Sequence, residues 1–231
     1  MNKTDEQLLN NVLDNNIHEA DSYNVRKNGK SIDRKTNPYI DIISKEDCSG
    51  IDIYVKENTL FGIIDIPVII TDSGLTDVVY NDFHIGKNSN VIIVAGCGVH
   101  NTDRHDSVHD GIHRFYLEEN SKVKYIEKHY GSGKGTGKKI LNPVTEITMK
   151  KGSSMTIDST QIEGVDKTLR VTKAILDEAT TLVINEKIKT YKDQYAKTEF
   201  VVTLNGENAS CHVTSRSVAT DNSYQEFTSN V

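Results

Sequence analysis

The 231 residues are enough for one substantial domain, and 33 acidic against 27 basic side chains leave a formal charge of −6. That balance gives no overall basic field to hold nucleic acid or an anionic membrane surface. The start carries no basic region followed by an apolar core, no stretch nears the roughly 20 apolar residues that span a bilayer, and Cys48, Cys97 and Cys211 sit at unrelated spacings. These features read as a cytoplasmic protein with reduced thiols. Tryptophan is absent, only three prolines occur, and Val, Ile and Thr are plentiful, which suits pleated surfaces more than packed helices.

In chain order, Leu8, Leu9, Val12, Leu13 and Ile17 recur at helical spacing, so the pattern predicts a short N-terminal helix over Thr4–Ile17, with Thr4 and Gln7 as a capping box. Residues 18–39 are polar and lack an apolar period, so 1–39 reads as a helix plus polar connector. A different texture begins at Ile40.

Six stretches then share an apolar residue, five mostly polar or small residues, and a closing position. They are Val55-KENTL-Phe61, Ile85-GKNSN-Val91, Leu117-EENSK-Val123, Met149-KKGSS-Met155, Leu176-DEATT-Leu182 and Leu204-NGENA-Ser210, the last fitting least well. The period is about thirty residues, in the range of repeat architectures. A unit of strand, tight turn, strand and return loop buries its apolar face only by stacking on its neighbours. The expected fold is therefore mainly β, a parallel β-solenoid over 40–231, open at its C-terminal end. A β-sandwich also has many short strands, but usually closer together and without one turn recurring in register.

The densest polar cluster, residues 96–113, holds Cys97, His100, His105, His109 and His113. Thiolate and imidazole donors suit iron, zinc or an iron–sulfur cluster. The plainer reading is a long loop whose side chains satisfy backbone groups. The last three histidines would share one face of a helix, and Gly111 opposes a long one. Gly131-SGKGTGKK misses the phosphate-loop spacing and is followed by Pro143 and a β-like run where a helix is required, so it reads as a flexible basic turn that binds no nucleotide. Cys211 reads as core packing, Cys48 receives no role, and Arg216–Ser223 reads as a coil return. No Ser-His-Asp order, paired-carboxylate motif or H-E-x-x-H helix points to catalysis.

Several stretches resemble the core domain shared by SufB and SufD of the SUF iron–sulfur assembly system: GCGVHN at 96–101, SVHDGIHRFYLEENSKVKYIEKHYG at 107–131, ILNPVTEI at 140–147, QIEGVDKTLR at 161–170, and the region from Asn205-Gly206 to Arg216-Ser-Val-Ala219. They lie in order across most of residues 96–219. The resemblance implies a right-handed parallel β-helix acting as a scaffold rather than an enzyme. It implies pairing with itself or a paralogous subunit, a SufC-like ABC ATPase that handles ATP, and a transient iron–sulfur cluster. In the family, further turns and a helical region normally follow the part that ends at Val231, and they carry ATPase docking and the best supported cluster ligands, so the expectation is a C-terminally shortened scaffold. Two alternatives stand beside it. One is a β-solenoid enzyme of acyltransferase or lyase type, although the acyltransferase hexapeptide pattern is absent and nothing supplies a lyase base. The other is a mononuclear metal protein using the 97–113 cluster.

Overall fold

The structure, a computed structural model, describes residues 1–13 and 19–231. In chain order it runs α1 (Lys3–Val12), β1 (Ser22–Lys27), β2 (Lys30–Lys35), β3 (Ile40–Ser44), β4 (Gly50–Val55), β5 (Leu60–Asp65), β6 (Val68–Ile70), β7 (Thr76–Ile85), β8 (Asn90–His100) and β9 (Ser107–Leu117). It continues with β10 (Lys122–Ser132), β11 (Lys139–Leu141), β12 (Val144–Met149), β13 (Ser154–Glu163), β14 (Lys167–Leu176), β15 (Thr181–Thr190), β16 (Tyr195–Leu204), β17 (Ser210–Ala219) and β18 (Tyr224–Asn230).

The helix begins at Lys3, one residue earlier than its periodicity suggests, and its N-cap is Asn2. Asn2 Oδ1 accepts from the Asp5 N–H at 3.0 Å and Asp5 Oδ2 accepts from the Asn2 N–H at 2.8 Å, so the capping box is Asn2/Asp5 rather than Thr4/Gln7. Its last helical residue is Val12; residues 14–18, including the expected end at Ile17, lie outside the described residues. The expected connector is largely a hairpin: β1 and β2 pair antiparallel, turning at Asn28 and Gly29, both with positive φ. Its polar texture comes mostly from β2, which is largely exposed, while Tyr23 and Val25 of β1 are buried.

Beyond this hairpin and the antiparallel pair β3–β4, every pairing is parallel and joins one coil to the next. One sheet runs β17-β15-β13-β10-β8-β5-β1-β2 with β6 beside β1 and β8, and the other runs β18-β16-β14-β11-β9-β7-β4-β3 with β12 beside β9 and β14. This is the expected β-solenoid. No helix among the described residues is long and apolar enough to cross a membrane.

The repeated turn joins the two sheets. Asn58, Asn88, Asn120, Ala179 and Asn208 adopt positive φ there, with Gly152 in the equivalent place. Behind them Thr59, Ser89, Ser121, Ser153 and Thr180 each donate a side-chain hydrogen bond to the carbonyl three residues back, at 2.5–2.7 Å. Two turns depart from the sequence alignment. In the first, a bulge leaves Phe61 exposed and aligns Gly62 with Val91. In the sixth, one extra residue makes Cys211, not Ser210, the partner of Leu182, and Cys211 packs against the core while His212 is exposed.

The glycine-rich stretch 131–137 is not a flexible turn. It lies on the loop of the preceding coil, with Gly135 N donating to Asn101 O at 3.0 Å and Gly137 N to Asp103 O at 2.9 Å. A Cβ on Gly133, Gly135 or Gly137 would lie 2.0–2.4 Å from a backbone oxygen of that loop, so alternate glycines are what let two coil corners touch. Gly137→Ala is expected to cost more than about 2 kcal/mol, and Ser121→Ala about 1 kcal/mol for its buried hydrogen bond. Urea unfolding measures both; equal costs would mean that the corner yields freely to a methyl group.

Candidate functional site

Side chains alternate inward and outward along each strand, and this period of two decides which of the clustered residues meet. His109, Gly111 and His113 all face the interior from β9, so the two histidines share one side of a strand. Cys97 faces inward from β8 in the other sheet, beside His129 of β10 and Val68 of β6. Cys97, His109 and His113 thus line one cavity, together with Gly111, Glu127 and His129. Its free space is about 20 Å³, room for one water-sized body. His100 lies elsewhere, half-buried at the end of β8 with Nδ1 2.9 Å from Ser132 Oγ, and His105 is exposed near Asp103. Among the described residues, no three His, Cys, Asp or Glu side chains are placed to hold a metal ion.

Four residues that complete this site escaped the sequence reading: Asp77, Glu127, His129 and Arg170. The available signal was polar residues at inward positions. In Tyr125-Ile126-Glu127-Lys128-His129, the alternate residues 125, 127 and 129 are the buried ones.

Hydrogen bonding fixes the direction of each donor. Glu127 Oε2 accepts from Arg170 and from Ser159 Oγ, the latter at 3.2 Å, so this carboxylate is ionised and Tyr125 Oη must donate to its Oε1 at 3.2 Å. Tyr125 therefore accepts from His113 Nδ1 at 2.6 Å, which leaves His113 Nε2 to accept from Asn81 Nδ2 at 3.2 Å. Arg170 Nη2 donates to His129 Nδ1 at 3.2 Å, and Arg170 Nε lies 3.2 Å from Glu186 Oε2. A second chain runs from Arg26 through Asp77, whose two oxygens take the guanidinium at 2.6 and 3.0 Å, to His109 Nδ1 at 3.3 Å. With Nδ1 engaged by Asp77, His109 points its Nε2 to within 3.2 Å of where a Cβ on residue 111 would stand. Glycine at 111 is what leaves the space between the two imidazoles.

Burial dominates the electrostatics. It pushes the Cys97 thiol well above its ordinary range, with the Asp77 and Glu127 charges adding to the effect, so the thiol is protonated at neutral pH. Burial would also raise the Glu127 carboxyl, but Arg170, His129 and His113 outweigh it and hold it at about 2. His113 and His129 are both pulled down by burial to about 4, against the opposing pull of Glu127.

Because both imidazoles stay neutral in the folded chain down to about pH 4 while unfolded histidine titrates at 6.5, their contribution to stability is whole above pH 6.5 and is lost as pH falls toward 4. Glu127, ionised down to about 2, keeps contributing through that window. Unfolding near pH 5 is therefore expected to take up about two protons from these histidines, and about one fewer in His129→Gln. Urea unfolding across pH 4.5–7 checks this, and a stability independent of pH there would show that the imidazoles are charged or solvated.

Residues 75–231 match the family model described as SUF system FeS cluster assembly, SufBD core domain. An iron–sulfur cluster assembly SufBD family protein of Methanocaldococcus jannaschii is 24% identical over 155 residues, 67% of this chain and 48% of that protein. The chain thus spans about half the length of the relative it matches. With the family match running over more than half of the chain, from β7 to β18 and including Cys97, His109 and His113 of the cavity lining, the chain belongs to the SufBD family.

Proposed function

We propose that this chain is a scaffold component of SUF-type iron–sulfur cluster assembly, working in the cytoplasm with a SufC-like ABC ATPase and a second SufB/SufD-like subunit, itself or a paralogue. The observation that carries this reading is the SufBD core match over residues 75–231. The relative of known family carries iron–sulfur cluster assembly in its name. The iron–sulfur cluster is cargo, held transiently, and the ATPase hydrolyses ATP; the scaffold performs no catalysis of its own.

The interior cavity gives the reading a chemical form. Cys97 is a soft donor and His109 turns its Nε2 toward the same space. Sulfur or iron reaching Cys97 has to displace its proton, since burial keeps the thiol neutral. His113 and His129 are already committed to Tyr125, Asn81 and Arg170, so they serve the cavity only if those bonds are given up. His100 and His105 stand apart and enter no interior role.

Co-expressed with its ATPase and purified without oxygen, the protein is expected to carry iron and acid-labile sulfide in comparable amounts, to bring the ATPase with it, and to lose at least half of both elements in Cys97→Ser. Elemental and sulfide analysis reads the outcome. Wild-type loading in the variant removes Cys97 from the route, and zinc without sulfide replaces cluster assembly by mononuclear metal binding.

A further inference from the structure

Every side chain lining the interior cavity is buried except one. Ile66, Cys97, His129 and Pro143 are all shut from solvent, whereas Asn142 is half-buried and reaches the outer face. The position of Asn142 follows from a proline. Pro143 has no N–H, and the strand that would run from Lys139 to Met149 is split there into β11 and β12, beside Gly111 of β9. A second proline, Pro67, splits β5 from β6 in the opposite sheet, but that break is covered. Arg26 N donates to Pro67 O at 2.9 Å, and α1 seals the neighbouring strand, Val12 lying against Gly96 and Leu8 against Gly98. The cavity therefore lies between two interrupted strands, and among the described residues only the interruption at Asn142 meets water.

Asn142 closes that gap as a strap. Its Nδ2 donates to Asp110 Oδ1 of β9 at 2.8 Å, and its Oδ1 accepts from Leu169 N of β14 at 3.1 Å, so one amide spans the strands on both sides. Rotation of this side chain costs two hydrogen bonds at a half-exposed position and disturbs no ladder pairing of its own. Beneath it, Gly111 puts nothing in the path.

We propose that Asn142 is the entrance of the interior cavity, a gate through which a solute little larger than water reaches Cys97 while larger molecules are excluded. This deepens the functional reading above by naming the way in, and its test needs neither iron nor the ATPase.

Labelling of Cys97 in a Cys48→Ser/Cys211→Ser background gives that test, with hydrogen peroxide as the small probe. The Cys97 thiolate attacks one peroxide oxygen, a sulfenic acid forms as the O–O bond breaks, and the hydroxide that leaves takes up the thiol proton as water, so mass spectrometry follows the added oxygen on Cys97. The parent is expected to react slowly at a rate unaffected by urea below the unfolding transition, and a maleimide of several rings is expected to react far more slowly still. Asn142→Ala, and Asp110→Ala as a variant that leaves the gate residue in place, are each expected to speed the small probe about tenfold, as befits the loss of one or two hydrogen bonds. Labelling that rises with urea in step with unfolding, is indifferent to probe size, or is unchanged in both variants overturns the gate. Cluster loading lost in Cys97→Ser with these rates unchanged would leave the assembly role standing and remove the gate alone.

Discussion

A guanidinium shut inside a protein has to find its counter-charges there, and Arg170 finds them on the opposite sheet. It projects from β14 to Glu127 on β10 and Glu186 on β15 and also bonds His129, so one side chain ties three strands across the interior. Two buried carboxylates facing one such cation leave an excess of negative charge, and several neutral groups donate into it: Tyr125 and Ser159 to Glu127, and Thr198 and Ser215 to Glu186. Replacing an ion pair of this kind by apolar side chains is often neutral or stabilising, whereas deleting one member strands a charge. What the cluster supplies is orientation. It sets the direction of every hydrogen bond from Arg170 to Asn81.

The charged spine also divides the core. On one side lies a long apolar cluster in which Val91, Val123, Met155 and Leu182 stack coil on coil and Phe83 lies flat on Phe115 with ring centroids 4.3 Å apart. On the other is a smaller cluster that includes Val68, Val99, Leu141 and Val165. Parallel stacking explains why polar and apolar residues separate in this way: each inward residue touches the equivalent one in the next coil, so a polar side chain is best satisfied by polar neighbours above and below it. Cys97 belongs to the smaller cluster and borders the spine, which places a thiol at the boundary between the two environments.

Much of this was legible in the chain. The recurring turn gave the solenoid, because Asn or Gly in the left-handed position followed by Ser or Thr is a local signal that survives without knowledge of the neighbours. The two misaligned turns failed for a local reason as well, since a bulge at Phe61 or an added residue before Ser210 changes which residue faces inward without changing composition. The site was only half legible. His109 and His113 were singled out for their chemistry but assigned the wrong period, and Glu127, His129 and Arg170 were hidden because a polar residue inside a strand pattern reads as an exposed one until its register is known. The hairpin at 22–35 was missed because β2 has an exposed, polar surface on which period carries no information.

Gly111 shows how such an interior can retain empty space. Glycine in a strand costs roughly 0.5–1 kcal/mol relative to alanine through chain entropy, so the position is favoured only if a side chain there would do worse. An alanine Cβ would stand 3.2 Å from His109 Nε2 and 3.6 Å from His113 Nε2, tight against one imidazole and in ordinary contact with the other, and it would take up the space that Nε2 of His109 faces. The neighbouring strand makes the complementary concession at Pro143, giving up a ladder hydrogen bond beside the same glycine. Both departures from good strand chemistry meet at one place, where β12 begins beside Gly111 of β9, on the wall of the cavity that Cys97 lines from the other sheet. Local strand preference has yielded there to a cavity lined by a thiol and an oriented imidazole.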